Sequence, residues 1–361
     1  MENISHQANQ NKTELLTTGD FLKLSCANEW SLAEPFSFDV ISSGVAIKVT
    51  VLDTGIIVFE PDCETTQDII LSSAVHGNET APIEICNDLI TQLIQGEIAL
   101  KERVIFLFGN PASINIGKRF VEENLNRLFS GEHSKPLADG STVINKERAR
   151  AKVLEDAVRN FYQQGEKISA QRSRCHYDLH TAIRGSKNDK FAVYPFQHGK
   201  PRKKEQLLFL KQCGITTILL SHSPTTTFSY FSVNEFEADA FTIELGKVKP
   251  FGENNMEDFA AIKATLLDLI SGNDLSLGEY LAEDFEVFEI YQTINREAED
   301  FRLNFADDVE NFTSFPVDSI LVFDGDKEVK TNKEGEAIIF PNADVSIGQR
   351  ALLTVTPTYI A

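Results

Sequence analysis

The chain has 361 residues, and length alone suggests about two domains. It carries 34 Lys and Arg against 54 Asp and Glu, which gives a formal net charge of −20. This sign excludes broad, sequence-independent binding to nucleic acid or to an anionic membrane, since both need a positive field. Hydrophobic residues make up 42% of the chain, which is enough for a core and excludes general disorder.

Membrane and secretory classes have no support in the sequence. No apolar run approaches the roughly 20 residues of a membrane helix, and the polar N-terminus shows no signal-peptide core. The five cysteines are odd in number, scattered and free of CxxC spacing: Cys26, Cys63, Cys86, Cys175 and Cys213. We interpret them as reduced thiols and expect a cytoplasmic protein with no membrane partner.

Taken in chain order, the pattern predicts a polar, mobile N-terminal arm over 1–18 and an α/β domain over 19–274. In that domain, short runs rich in Val, Ile and Leu alternate with longer helical patterns. Continuous hydrophobicity predicts strands that are buried on both faces. The predicted strands are Ile69–Val75, Val104–Phe108, Cys175–Leu179, Thr217–Leu220 and Phe241–Leu245.

Helical spacing predicts a helix that begins near Thr80 as its N-cap, followed by helices over Asn145–Tyr162 and Met256–Ile270. Composition changes after Asp274, and 275–361 is predicted to be a smaller β-rich C-terminal domain. Its predicted strands are Phe285–Ile294, Ile320–Phe323, Ala337–Phe340 and Ala351–Thr356. Asp324-Gly325 is typical of a hairpin turn.

Five predicted strands end in side chains that can do chemistry. The residues at these ends are His76, Asn110, His180, His222 and Glu244. Ligands of open α/β sheets bind outside the carboxyl ends of the strands, so these residues are expected to form one constellation. Loop polarity alone would supply part of such a set.

His76 and Glu79 lie three residues apart in a His-Gly-Asn-Glu turn and can both point at one cation. His180 is the candidate third ligand, and Asp178 can accept the other N–H of its ring. The alternatives are a helix-capping role for His76 with Glu79 as a helix-dipole partner, and a hydrogen-bonded core histidine for His180.

Glu244 stands at the end of a hydrophobic strand, where an unpaired carboxylate is costly. Partial burial there suits a general base with a raised pKa. A salt bridge to Lys247 or Arg184 is the alternative.

Arginine and asparagine cluster at Lys118-Arg119 and Asn126-Arg127, donors that suit a carboxylate ligand. The alternative is a solvated basic loop, which we prefer for Lys118. The chain shows no GxSxG, HExxH or P-loop motif, which disfavours serine-hydrolase, thermolysin-type and phosphate-loop chemistry.

These motifs occur in one order that resembles a known family. They are His76-Gly77-Asn78-Glu79-Thr80-Ala81-Pro82, Gly109-Asn110-Pro111, Asn126-Arg127-Leu128-Phe129, Asp178-Leu179-His180 and Ile243-Glu244-Leu245-Gly246. The chain resembles the succinylglutamate desuccinylase/aspartoacylase family, a branch of the carboxypeptidase A-like zinc hydrolases, from about residue 40 to 270. His180-Thr181-Ala182-Ile183-Arg184 favours the desuccinylase branch. The resemblance implies a carboxypeptidase-like mixed central sheet flanked by helices.

The resemblance also implies roles for single residues. His76, Glu79 and His180 would hold one Zn²⁺ per chain. Glu244 would be the general base, and Arg119 would polarise the scissile carbonyl. Asn126 and Arg127 would hold a substrate carboxylate.

Two departures from the family pattern concern the substrate pocket. Asn234 stands where aspartoacylase has a further arginine, and we assign that role to Arg184. The family's C-terminal substrate-contacting tyrosine has no counterpart that we can assign.

The implied activity is hydrolysis of N2-succinyl-L-glutamate to succinate and L-glutamate, the last step of arginine degradation by the succinyl route. The partner is then a small anionic N-acyl amino acid, a trianion that the net charge repels and local arginines must attract at short range. Three alternatives remain open: aspartoacylase-type deacylation of another N-acyl amino acid, a zinc carboxypeptidase, and a catalytically inactive zinc-binding module.

Overall fold

A computed structural model describes residues 2–136 and 140–360, with side chains from residue 6 onward. Position 1 of the expected arm and position 361 of the expected tail lie outside the described residues. Across the described residues, the fold is a twelve-stranded mixed sheet with helices on both faces and a separate three-stranded sheet near the C-terminus. The expected α/β class with a β-rich C-terminal part is confirmed.

The strands of the large sheet are β1 (Phe36–Ser42), β2 (Val45–Asp53), β3 (Ile56–Pro61), β4 (Gln67–Ser73), β5 (Arg103–Phe108), β6 (Ser173–Ala182), β7 (Phe191–Tyr194), β8 (Thr217–Leu220), β9 (Asp239–Lys247), β10 (Glu286–Asn295), β14 (Ala337–Ile339) and β15 (Arg350–Thr358). The small sheet contains β11 (Arg302–Leu303), β12 (Ile320–Asp324) and β13 (Lys327–Lys330).

The helices are α1 (Glu2–Thr18), α2 (Phe21–Ala27), α3 (Thr80–Ile94), α4 (Pro111–Asn115), α5 (Lys146–Ile168), α6 (Lys204–Gln212), α7 (Phe228–Phe236) and α8 (Ala260–Ile270). Short 3₁₀ turns cover Leu125–Arg127, Glu132–Ser134, Met256–Phe259 and Ala282–Asp284. Among the residues that the structure describes, no helix is long and apolar enough to cross a membrane.

The large sheet runs in the order β1-β2-β3-β5-β4-β6-β9-β7-β8-β10-β15-β14. Its centre is parallel, because β4 pairs in parallel with β5 and β6, and β6 pairs in parallel with β9. The carboxyl ends of β4, β6 and β9 therefore meet at one edge of the sheet, and the candidate site lies at this edge.

Burial explains why the central strands read as continuous apolar runs. Every residue of β5 is buried, as is every residue of β4 after Gln67. One apolar cluster includes Ile69 and Leu71 together with buried residues of α3 and α8, and a second includes Ile70 and buried residues of α5 and α7. The alternation of side chains along a strand sends neighbours into opposite layers.

The C-terminal segment continues the large sheet. Strand β10 pairs in parallel with β8 and antiparallel with β15, so β15 is attached to the central strands of the large sheet through β10. The hairpin predicted at Asp324-Gly325 is confirmed, since β12 and β13 pair antiparallel around it and Gly325 has φ of +59°.

Three features differ from the sequence-based expectation. The expected mobile arm forms α1, whose residue Leu15 is buried in the main apolar cluster. The antiparallel strands β1 to β3 were not predicted; along β1 and β2, exposed and buried residues largely alternate. The N-cap of α3 is Glu79 and not Thr80, which is the first helical residue. All five cysteines are free thiols, as expected.

Candidate active site

The three candidate metal ligands meet at the carboxyl ends of β4 and β6. Single ligand atoms of His76, Glu79 and His180 lie within 4.8 Å of one another, and all three side chains are buried. His76 and Glu79 come from the turn between β4 and α3, and His180 comes from β6. The HxxE spacing brings the His76 and Glu79 side chains together because the chain passes from strand to helix within this turn.

Gly77 in this turn is required by a close approach of backbone to backbone. A Cβ added there would lie 2.2 Å from the carbonyl carbon of Ser113 in α4. The Gly77 N–H also donates to the Arg119 carbonyl at 3.3 Å. The ligand turn is therefore packed directly against the loop that carries Arg119.

The ring of His76 has a defined orientation. Its Nε2 lies 3.0 Å from Asn124 Oδ1, so Nε2 carries the proton and Nδ1 presents a lone pair. Nδ1 lies 2.9 Å from Glu79 Oε1 but is buried without a hydrogen bond. Burial lowers the pKa of His76 to about 4, and the charge of Arg119 adds to this shift. His76 is therefore a neutral imidazole that faces a carboxylate.

Asp178 holds the ring of His180 so that its Nδ1 is directed at Glu79, as is that of His76. Nε2 of His180 lies 3.0 Å from Asp178 Oδ2, as the sequence analysis expected, and Nδ1 lies 2.8 Å from Glu79 Oε2. Asp178 also accepts a hydrogen bond from Ser72 Oγ at 2.5 Å. An imidazole whose other nitrogen donates to a carboxylate is the usual arrangement of a histidine metal ligand.

The carboxylates around these rings favour one cation between the side chains of His76, Glu79 and His180. Burial alone would lower the pKa of His180, but Asp178 and Glu79 outweigh it and raise that pKa well above its ordinary value. A positive charge is thus stabilised where the two Nδ1 atoms and the Glu79 carboxylate converge. The donor set of two imidazoles and one carboxylate fits a divalent metal of the zinc type with room for further ligands.

Glu244 lies beside these ligands at the end of β9, which pairs with β6 so that Glu244 is opposite His180. It is 7% exposed, and its Oε2 atom is buried without a hydrogen-bond partner. Burial raises the pKa of Glu244 to about 7. Among the described residues it forms no salt bridge, so the alternative pairing with Lys247 or Arg184 is not observed.

Arg119 reaches the same point from the loop after α4. Its Nη1 lies 2.6 Å from Glu79 Oε1, while Lys118 beside it is exposed. The guanidinium is 29% accessible and lines the cavity, so it faces both the ligand turn and the space in front of it.

A cavity of about 190 Å³ extends from the candidate metal ligands, and the remaining predicted site residues line it. Asn126, Arg127 and Arg184 all line it. The Asn126 side-chain Oδ1 accepts a hydrogen bond from the Phe228 N–H, and the Asn126 backbone carbonyl accepts one from Arg127 Nη1 at 2.9 Å. Arg184 donates to the carbonyls of Ala306 and Val309.

Two other strand-end residues lie outside this constellation. Asn110 caps α4 and donates to Glu147, and His222 pairs with Glu289 on the surface. Neither lines the cavity. The single constellation expected from five strand ends therefore contains His76, His180 and Glu244.

Among the cavity residues that sequence reasoning missed, two orient a candidate metal ligand or add positive charge. Asn124 orients His76 from two positions before the Asn126-Arg127 pair, and its closeness to that pair was an available signal. Arg350 enters from β15, more than 160 residues along the chain from Arg184, the nearest other arginine that lines the cavity. No local pattern marks Arg350, since only the pairing of the tail with the sheet brings it to the site.

Comparison with known proteins gives consistent matches over nearly the whole chain. The model of the succinylglutamate desuccinylase/aspartoacylase catalytic domain matches residues 65–270, and that of the AstE/AspA barrel-sandwich hybrid domain matches 283–358. A succinylglutamate desuccinylase of Idiomarina loihiensis is 54% identical over 93% of this chain and 95% of its own. One from Shewanella piezotolerans is 50% identical over 94% and 96%. The X-ray structure of the Vibrio parahaemolyticus enzyme, 36% identical, superposes with a TM-score of 0.81 over 93% of this chain and 94% of its own.

Proposed function

The chain belongs to the succinylglutamate desuccinylase/aspartoacylase family, and on that premise we propose that it hydrolyses N2-succinyl-L-glutamate to succinate and L-glutamate. The observation that carries this proposal is the meeting of a His-Glu-His ligand set with buried Glu244 in a cavity lined by arginines. A metal held by this ligand set would polarise an amide, and the arginines would select an anionic one. This reaction would complete arginine degradation by the succinyl route.

Zn²⁺ is the metal we propose, one per chain, held by His76 Nδ1, the Glu79 carboxylate and His180 Nδ1. When bound, it supplies Lewis-acid polarisation of the amide carbonyl and activation of water. Asn124 and Asp178 keep both imidazoles in the tautomer that presents Nδ1.

Glu244 acts as the general base and then as the general acid. Its raised pKa allows its carboxylate to take a proton from the attacking water and to return one to the departing glutamate nitrogen. Arg119, next to Glu79, donates to the carbonyl oxygen as negative charge develops there. Water adds across the amide, so the products are one free carboxylate and one free amine.

The substrate carries three carboxylates, and the cavity supplies donors for them. We assign one carboxylate to Asn126 and Arg127, and another to Arg184, which lines the cavity and donates to backbone carbonyls. The large negative net charge is screened over about 8 Å at physiological salt, so these local cations decide the binding.

The test is a substrate panel run on the zinc-loaded protein. Succinate release from N2-succinyl-L-glutamate should exceed acetate release from N-acetyl-L-aspartate, and C-terminal dipeptides should be inert. Faster acetate release would favour the aspartoacylase alternative, and absence of turnover with zinc bound would favour an inactive binding module.

A further inference from the structure

Arg350 belongs to the C-terminal segment but lies in the catalytic cavity. It is the first residue of β15, paired with Asn295 of β10, and it lines the same cavity as His76 and Arg127. Its guanidinium lies over the ring of Phe340, with 5.7 Å from Cζ to the ring centroid. The Phe340 ring lies 5.7 Å from that of Phe191 in β7. The arginine is thus held against the central sheet through an aromatic stack.

This guanidinium has no carboxylate partner within the described residues, and neither has Arg127. The Nε of Arg350 is buried without a hydrogen bond. Burial lowers the pKa of Arg350 to about 10, and burial followed by the charges of Arg350 and Arg119 lowers that of Arg127. Two guanidinium groups that repel each other in a recessed cavity are stabilised when an anion binds between them.

The number of charges indicates which half of the substrate fits. The glutamate half carries two carboxylates on one short residue, whereas the succinyl half carries one. A pair of neighbouring guanidiniums without carboxylate partners matches the half with two charges, because each can take one carboxylate in a charge-assisted pair.

We propose that Arg350 and Arg127 together form the subsite for the glutamate half of the substrate, so that the C-terminal segment supplies a specificity-determining residue. This inference rests on the proposed function for the identity of the substrate. In this arrangement Arg184 faces the succinyl carboxylate, and the attachment of β15 to the large sheet fixes the point at which Arg350 enters the cavity.

The experiment measures binding of the two products to the zinc-loaded protein by calorimetry, so it does not depend on turnover. Arg350→Met should weaken L-glutamate binding by about tenfold or more, as expected for loss of a recessed charge-assisted pair, and leave succinate binding unchanged. Arg350→Lys should recover part of the loss because it keeps the charge.

Arg302→Met is the matched control. Arg302 lies in the same C-terminal segment, is exposed, and stacks on Phe323 at 4.3 Å away from the cavity. It should leave both affinities unchanged, and melting temperatures of all variants report whether they fold.

Two results would overturn the inference: unchanged L-glutamate affinity in folded Arg350→Met, or a loss of succinate affinity as large as that of L-glutamate. Failure of the proposed function has a different signature. In that case the wild-type protein releases no succinate from N2-succinyl-L-glutamate, whatever the binding data show.

Discussion

The two ends of the cavity differ in how far the folded chain already satisfies their charges. At the ligand end, which comprises His76, Glu79 and His180, every ring has a partner that fixes its orientation. At the arginine end, which comprises Arg127 and Arg350, two cations face the cavity without carboxylate partners among the described residues.

On the proposed function, this difference separates a site for a permanent cation from one for a transient anion. The ligand end is pre-oriented by buried hydrogen bonds, which is what tight metal binding requires. On the same proposal, the arginine end has no carboxylate partner among the described residues until the substrate supplies one, so its binding energy is available to the substrate. Changes at the first end should affect metal content and turnover, and changes at the second should affect substrate affinity.

The largest expected effect belongs to Glu244, which lies beside the ligand end without being a ligand. Glu244→Gln should lower kcat by about 10²–10⁴-fold because it removes the proton acceptor and donor. Zinc content, measured by plasma mass spectrometry, should stay near that of the wild type. A variant that retains normal turnover would remove Glu244 from its role.

Asp178 tests whether the ligand end depends on its oriented imidazoles. Asp178→Asn should weaken zinc affinity about 10–100-fold, since the amide cannot accept the Nε2 proton of His180 as strongly. Competition with a chromophoric chelator measures this constant directly. Equal affinity in variant and wild type would show that the hydrogen bond does not support the metal site.

Arg127 tests the other end. Arg127→Met should raise KM for N2-succinyl-L-glutamate by about tenfold or more through loss of a charge-assisted pair, with a smaller change in kcat. Zinc content should be unchanged. A fall in zinc content would contradict this, because it would show that metal binding at the ligand end depends on the arginine end.

Lys118 should show the smallest effect, although it adjoins Arg119 in sequence. It is exposed and does not line the cavity, so Lys118→Ala should leave kcat/KM unchanged and alter stability by less than about 0.5 kcal/mol. Steady-state kinetics and thermal unfolding check this. A marked loss of kcat/KM would show that substrate binding extends beyond the cavity to Lys118.

Sequence reasoning located the ligand end well because its residues follow buried strands. His76, His180 and Glu244 stand where continuous apolar runs end, and parallel pairing of β4, β6 and β9 then brings these ends together. His222 and Asn110 follow strands equally well, yet β8 is separated from β6 by β9 and β7, and the Asn110 side chain caps a helix. Apolar pattern does not give strand order.

The arginine end was only half visible in the sequence. Arg127 lies in a recognisable motif, but Arg350 lies in a tail whose pairing with the central sheet no local pattern encodes. The N-terminal helix was missed for a related reason: its pattern is mostly polar, and its few apolar contacts, such as that of Leu15, depend on the rest of the fold.

The central claim is that this cavity performs metal-dependent desuccinylation, and a zinc titration tests it most directly. Chelator-treated protein should release no succinate from N2-succinyl-L-glutamate. Activity should then rise linearly with added zinc and reach a plateau at one ion per chain. Full succinate release by the metal-free protein, or no release at any zinc concentration, would contradict the account.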